Sequence, residues 1–142
     1  MLEEKNVLIT FKTKQSDGGH SEETEIITGG VFGKTPEGYV IKYHETEATG
    51  FDGCTTTLTV TGDRKIVLDR TGAAQSQLVI DKGKKHFCQY ATPYGSMQMG
   101  IQTGDIRSSL TENGGDLYFK YVIDVEANLL GKYEVNINVR ES

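Results

Sequence analysis

Apolar and polar residues alternate along much of this chain, and this alternation limits the folds that it can adopt. Between residues 117 and 125 every second residue is apolar, from Leu117 to Val125, and the same pattern runs from Tyr133 to Val139. Successive side chains of a β-strand point to opposite faces, so a period of two predicts a strand with one buried face. Both segments are therefore predicted to be β-strands.

Shorter alternating segments recur along the rest of the chain, separated by turns rich in Gly, Asp or Pro. The further predicted strands span residues 5–14, 21–31, 39–48, 54–61, 64–71, 75–80, 85–92, 96–102 and 105–110. Signals for helices are nearly absent. The 142 residues suffice for a sizeable core, and we predict a single domain over residues 1–142.

The connections between the predicted strands are short, which favours a meander in which neighbouring strands pair antiparallel. A meander of this length leaves unpaired edges unless the sheet closes on itself. We therefore predict an all-β fold, a closed antiparallel up-and-down barrel of about eight to ten strands. A β-sandwich is the alternative, but it needs longer crossovers than the sequence contains.

The net charge of the chain argues against two classes of partner. The formal net charge is -5 and the pI about 5.2, and no basic cluster stands out in the sequence. We therefore expect neither nucleic acid nor a membrane surface as a partner. We also see no signal peptide and no apolar segment long enough to span a membrane. Without an export signal, Cys54 and Cys88 are expected to be free thiols in a cytoplasmic protein.

Two charged residues fall on the apolar faces of predicted strands. Glu45 shares a face with Tyr43, and Arg70 shares a face with Leu68. We take the more apolar face of each strand as the inward one. A buried charge is very costly unless it is paired, so Glu45 and Arg70 are a candidate buried ion pair.

The segment 83–103 contributes the other candidate site residues. Its first strand places His86, Tyr90 and Thr92 on the inward face, and the turn that follows contains Tyr94. We expect His86 and Tyr90 to hydrogen-bond to the ion pair. The candidate ligand-binding residues of the barrel interior are thus Tyr43, Glu45, Arg70, His86, Tyr90, Thr92 and Tyr94. Tyr39, Tyr43 and Tyr133 are also most simply explained as residues of the barrel wall and core.

Three interpretations of these inward polar residues stay open. They could lie at strand ends beyond the rim of the barrel and be solvated, because strand ends are the least certain part of such an assignment. They could form a structural pair that closes one end of the barrel. They could also form a polar floor that holds a charged or hydroxyl group of a ligand inside an apolar cup.

Catalytic and metal-binding patterns are weak. His86 and Cys88 lie two apart on one strand face, but no second pair at metal-ligand spacing lies nearby, and no residue is placed to orient a Cys–His dyad. No Ser-His-Asp signature, phosphate-binding Gly-rich loop or carboxylate pair stands out. We therefore favour a protein that is not an enzyme and that uses neither metal nor cofactor.

Several short motifs, taken in order, resemble the YwiB-like family of bacterial proteins over residues 4 to 141. They are Tyr43-His44-Glu45, Leu58-Thr59-Val60, Arg70-Thr71-Gly72, Gly83-Lys84-Lys85-His86 and, running on from the last, Thr92-Pro93-Tyr94-Gly95. The resemblance implies a domain of unknown function in the calycin superfamily, with lipocalins and fatty-acid-binding proteins. It implies a small cytoplasmic barrel without accepted catalytic residues or an established ligand, and it suggests small-molecule binding inside the barrel.

Two hypotheses for the function follow. In the first, the protein is a non-enzymatic binder of a small, partly apolar ligand inside a calycin-like barrel. In the alternative, bulky side chains fill the barrel and the protein acts through protein–protein contacts on its outer surface. The polar face formed by Thr55, Thr57, Thr59 and Thr61 is then a candidate homodimer surface, because pairing would cover an exposed strand edge.

Overall fold

The computed structural model describes residues 4–17, 19–46, 52–73, 75–92, 95–126 and 128–142, without the side chains of residues 88–96. Over these ranges the chain forms ten β-strands and no helix. The strands are β1 (Glu4–Asp17), β2 (His20–Thr35), β3 (Gly38–His44), β4 (Cys54–Thr61), β5 (Lys65–Gly72), β6 (Ser76–Asp81), β7 (Lys85–Thr92), β8 (Gly95–Ser108), β9 (Gly114–Val125) and β10 (Asn128–Glu141). No helix of the described chain could therefore cross a membrane.

All ten strands join one antiparallel sheet in the order β6-β5-β4-β3-β2-β1-β10-β9-β8-β7. Strands adjacent in sequence pair with each other, apart from β6 and β7, and β1 pairs with β10 from Val7–Glu141 to Ser16–Lys132. The sheet forms a nearly closed barrel. The prediction of an all-β antiparallel barrel is confirmed, and the architecture is consistent with a calycin-like barrel.

The seam of the barrel lies between β6 and β7, the two ends of the strand order. Contacts bridge it near the turn that joins these strands. The Asp81 N–H donates to the Thr103 hydroxyl at 2.9 Å, and the Thr103 N–H donates to the Lys84 carbonyl at 3.4 Å. His86 Nε2 lies 3.0 Å from Asp81 Oδ2. These hydrogen bonds hold the seam together at this end, where the described residues form no strand ladder.

The predicted strands are present with shifted ends, but two of them form a single strand. Residues 96–102 and 105–110 are predicted as two strands, but β8 runs continuously through most of them. The register shifts between Thr103, which pairs with Tyr121, and Asp105, which pairs with Lys120. Gly104 is the extra residue of this β-bulge. A bulge shifts the phase of the alternation by one residue, which looks like a break between two strands in the sequence.

The inward faces of the strands form an apolar core. Its largest fully buried side chains are Val7, Ile9, Phe32, Ile41, Leu58, Ile66, Ile80, Ile101, Ile106, Leu117, Phe119 and Ile137. Partly buried aromatic rings pack against this core, as in the stacked pair of Phe32 and Tyr39 with ring centroids 5.2 Å apart. The burial of this apolar surface is the main stabilising contribution to the fold.

The outward face carries a row of alternating charges. Glu23 on β2 pairs with Lys14 on β1, Lys14 with Glu134 on β10, Glu134 with Lys120 on β9, and Lys120 with Asp105 on β8. Opposite charges directly across an antiparallel ladder favour the register that brings them together. This row therefore supports the same register as the apolar core on the other face.

Candidate functional site

The candidate site begins with three residues that lie side by side across neighbouring strands. Tyr43 on β3 pairs with Thr56 on β4, and Thr56 pairs with Arg70 on β5. Directly opposite residues of antiparallel strands point to the same face of the sheet. Tyr43 and Thr56 are buried, so the row faces the barrel interior. It lies at the end of the barrel where β3 and β5 end and β4 begins.

Glu45 completes the row from just beyond the end of β3. Its N–H donates to the Cys54 carbonyl at 2.9 Å, which extends the strand pairing and turns the side chain inward. The residue is only 5 % exposed. The Thr56 hydroxyl donates to Glu45 Oε1 at 2.8 Å, and Arg70 Nη2 lies 3.9 Å from the same oxygen. The buried carboxylate is thus balanced by a hydrogen bond and an opposite charge.

The Tyr43 hydroxyl belongs to the same group. Burial raises the pKa of Tyr43 well above its usual value, and the charge of Glu45 and a hydrogen bond to it raise the pKa further. The positive charge of Arg70 and a hydrogen bond with Thr56 act in the opposite direction. The phenol therefore stays protonated at neutral pH, and it can donate a hydrogen bond.

Aromatic rings line the rest of this end of the barrel. Tyr121 and Tyr133 stack with ring centroids 5.1 Å apart, and Phe11 packs against Tyr43 at 4.8 Å. Burial, and secondarily Tyr133, raise the pKa of Tyr121, whereas the charge of Arg70 lowers it. Arg70 therefore acts electrostatically on side chains of β3 and of β9. The site combines a polar cluster with aromatic surface, as small-molecule sites commonly do.

The predicted site residues are only partly brought together. Tyr43, Glu45 and Arg70 are neighbours, as the alternation indicates. The predicted hydrogen bonding of His86 to this group is wrong, because His86 contacts Asp81 instead. The reason is strand direction: His86 lies near the start of β7, at the end of the barrel opposite to the end of β5 that carries Arg70.

The structure describes three other predicted residues only in part or not at all. The backbones of Tyr90 and Thr92 are in β7, but their side chains are among those not described, and Tyr94 lies outside the described residues. Their binding roles stay predictions. The same applies to the metal or catalytic pairing of His86 with Cys88, whose side chain is not described. Within the described ranges, no three His, Cys, Asp or Glu side chains are grouped to hold a metal ion.

The sequence interpretation missed Thr56 and Tyr121 as members of the site. The Thr56 hydroxyl donates to the Glu45 carboxylate at 2.8 Å, and Thr56 is fully buried. The sequence did indicate Thr56, because it is a polar residue on an otherwise apolar strand face, beside Leu58 and Val60. Tyr121 gave no such signal, because a tyrosine in an apolar row is most simply core.

The burial of Glu45 excludes one of the three interpretations. A solvated position beyond the rim is excluded for Glu45, because the residue is 5 % exposed. A structural pair and a ligand-binding floor are both compatible with the geometry. The burial of Arg70 differs from that of its partner, since 18 % of the Arg70 side chain is exposed and 2 % of the Glu45 side chain. Arg70 is therefore the more accessible member of the ion pair.

The strand predicted to form a homodimer surface is not at an edge of the sheet. The outward threonines of β4, such as Thr57 and Thr59, are on a strand that pairs with β3 on one side and β5 on the other. The prediction that pairing of β4 would cover an exposed edge is wrong. Because β1 pairs with β10, the two edge strands of the sheet are β6 and β7. The sequence pattern gives no information on which strand is at an edge.

The fold and the site together define a small antiparallel β-barrel protein with a polar cluster at one end of its interior. Residues 9–137 match the model of a domain of unknown function, DUF1934, and the chain belongs to this family. The chain is similar to the crystal structure of the YwiB protein from Bacillus subtilis, with a TM-score of 0.77 and 19% sequence identity. The match covers 98% of this chain and 93% of that one, and at this identity it shows the fold alone. No curated protein matches the chain.

Proposed function

We propose that this protein binds a small, partly apolar ligand at the end of the barrel that holds Glu45 and Arg70, and that it acts as a binding protein rather than an enzyme. The observation that carries the proposal is the buried group of Tyr43, Glu45, Thr56 and Arg70 on the inward face. Placing two opposite charges inside a barrel wall contributes little net stability compared with apolar residues of similar size. A role in recognition accounts for such a group.

The chemistry of the group indicates what the ligand carries. Arg70 is the more exposed partner of the ion pair and is suited to a carboxylate or another oxygen acceptor. The Tyr43 phenol and the Glu45 carboxylate suit a hydroxyl group. The stacked rings of Tyr121 and Tyr133 offer apolar surface. We infer a ligand with a hydroxyl or carboxylate group on an apolar or aromatic body.

A capture experiment tests this proposal. Purified protein is incubated with a small-molecule extract of its host, separated by gel filtration and denatured, and the released molecules are compared by mass spectrometry. We expect a compound that the native protein retains and that the Arg70→Met variant loses. Arg140→Met is the matched control, because Arg140 is exposed on β10. Equal retention by both variants, or no retained compound with the native protein, would contradict the proposal.

A second candidate function is self-association on the outer surface. Phe87 is 60 % exposed on β7, which lies at one end of the strand order. An exposed aromatic ring on an edge strand suits pairing with a second copy. Light scattering then gives a dimer mass for the native protein and a monomer mass for Phe87→Ser. Ile27→Ser is the control, since Ile27 is similarly exposed, at 56 %, and lies on β2, far from β7 in the strand order.

A further inference from the structure

A cleft with an excess of positive charge lies at the end of the barrel opposite to Glu45 and Arg70. Its volume is about 630 Å³, and four cationic side chains and two carboxylates line it. They are Arg64, Lys65, Lys82 and Lys84, with Glu37 and Asp81. The whole chain has 15 Lys and Arg against 20 Asp and Glu, so the balance in the cleft is the reverse of that of the protein.

The fold builds this cleft from two turns that are far apart in sequence. One turn joins β4 to β5 and carries Arg64, and the other joins β6 to β7 and carries Lys82 and Lys84. The Lys82 N–H donates to the Arg64 carbonyl at 2.8 Å, and the Lys84 N–H donates to the Asp81 carbonyl at 3.0 Å. The two turns are thus fixed to each other through their backbones, and their cationic side chains are presented on one rigid base.

The positive charges of the cleft are incompletely balanced. Asp81 contacts His86 and also interacts electrostatically with Lys84 and Lys65, and the Lys82 amine lies 3.7 Å from Asp105. Among the described residues, no carboxylate is in ion-pair contact with Arg64 or Lys84. Like charges held close together repel each other, which favours the binding of an anion between them.

A second cleft of about 340 Å³ provides a comparison within the same molecule. Three lysines, Lys14, Lys120 and Lys132, line it together with Glu134. Glu134 lies directly between Lys14 and Lys120 in the outward row of alternating charges. The lysines of this cleft are therefore interleaved with a carboxylate, whereas Arg64, Lys82 and Lys84 come from turns that are not part of such a row.

We propose that the cleft at Arg64 and Lys84 binds a small ligand with two or more adjacent anionic groups, such as a diphosphate or triphosphate. The four cations outnumber the two carboxylates of the cleft by two, which exceeds what a single monovalent anion requires. Arg and Lys are the side chains that recognise phosphate oxygens. None of the described residues that line the cleft is aromatic. Single-stranded nucleic acids are bound largely by stacking on aromatic rings, so charge recognition of a compact polyanion fits this cleft better.

Titration calorimetry with inorganic tripolyphosphate and with orthophosphate, at about 50 mM salt where exposed charges are weakly screened, tests the proposal. We expect saturable binding of one tripolyphosphate per chain, tighter than that of orthophosphate. The double variant Arg64→Gln, Lys84→Gln removes two charged contacts and should weaken binding about tenfold or more. The matched control, Lys120→Gln with Lys132→Gln, makes the same change of charge in the other cleft and should leave binding within about twofold.

Three results would overturn the proposal. They are an absence of saturable binding, equal weakening by both double variants, and tighter binding of a single-stranded oligonucleotide than of tripolyphosphate. The last result would identify a nucleic-acid surface instead. All four substituted side chains are exposed, and thermal melts of the variants verify that each is folded. The outcome is independent of ligand binding at Arg70, which lies at the other end of the barrel.

Discussion

Arg70 Nη2 and Glu45 Oε1 lie 3.9 Å apart on the inward face of the barrel, and the Thr56 hydroxyl donates to the same carboxylate oxygen at 2.8 Å. Three strands meet in this contact: β4 and β5 supply Thr56 and Arg70, and Glu45 follows the end of β3. The wall of the barrel is therefore tied together at this end by polar contacts as well as by apolar packing. Stability measurements on these residues report on the geometry of the candidate site.

Breaking the ion pair from either side should destabilise the protein. We expect Glu45→Gln and Arg70→Met each to lower the free energy of unfolding by about 2–3 kcal/mol, because each leaves a charge without its opposite partner. The double variant should cost much less than the sum of the two. Urea denaturation of the four proteins measures this coupling. Additive effects near zero would show that the two groups do not interact.

The hydrogen bond from Thr56 to Glu45 should contribute to stability separately from the ion pair. Thr56→Val keeps the shape of the side chain and removes the donor to Glu45, so we expect a loss of about 1–2 kcal/mol in the free energy of unfolding. Thr57→Val is the matched control, because its side chain is on the outward face of the same strand. If the two substitutions have equal effects in urea melts, the contact between Thr56 and Glu45 does not stabilise the fold.

The hydrogen bond across the seam should make stability depend on pH. The hydrogen bond from His86 holds the pKa of the Asp81 carboxyl below its ordinary value of 3.8, and the charges of Lys84 and Lys65 act in the same direction. The folded state then binds this proton less tightly than the unfolded state does. Ionised Asp81 therefore stabilises the fold above its ordinary pKa, and this contribution is lost as the pH falls through the lower pKa of the folded state.

The Asp81→Asn variant measures that contribution. We expect its deficit in unfolding free energy to be fully present at about pH 5 and above, and to shrink as the pH falls below about 4. Urea melts over this range provide the values. Asp63→Asn makes the same change in the exposed turn between β4 and β5 and serves as the control. A deficit that stays constant down to about pH 3 would contradict the expected role of Asp81.

Two neighbouring glycines should respond differently to the same substitution. A Cβ at Gly30 would lie 2.5 Å from the Lys42 carbonyl oxygen and 2.7 Å from the Ile9 side chain. At Gly29 the nearest atom is the Val7 carbonyl oxygen, at 4.0 Å. We expect Gly30→Ala to destabilise by about 1–3 kcal/mol through overpacking, and Gly29→Ala to have little effect. Thermal denaturation distinguishes them, and equal melting temperatures would show that β2 is not packed as described.

The buried phenol at the site should titrate abnormally. Burial and Glu45 raise the pKa of Tyr43 well above the usual value, so the phenol stays protonated in the folded protein when exposed tyrosines have ionised. In a spectrophotometric titration of the folded protein, Tyr43→Phe should therefore leave the phenolate signal near pH 10 unchanged. A smaller signal at that pH would show that Tyr43 is solvated and that the interior of the site is open to water.

Period-two alternation was enough to predict the barrel and the inward face of Tyr43 and Glu45. It could not give the height of a residue along the barrel, and this is why His86 was grouped with Arg70 although strand direction separates them. The bulge at Gly104 also escaped prediction, because a shift in phase and a break between strands have the same appearance in sequence.

Contacts between segments that are separate in sequence could not be predicted either. Arg64 and Lys82 lie in separate turns, so their positive charges form no cluster in the sequence, and only the pairing of β5 with β6 brings them together. The edge positions of β6 and β7 likewise depend on the pairing of β1 with β10. Neither property can be derived from local patterns of residues.

A small ligand held in the barrel beside Glu45 and Arg70 should stay bound when the protein is purified from its own host. Native mass spectrometry of that protein, repeated after denaturation, detects such a ligand. We expect a mass above that of the bare chain that disappears on denaturation and is absent from the Arg70→Met variant. A bare mass under native conditions, or the same excess in native protein and variant, would contradict the proposal.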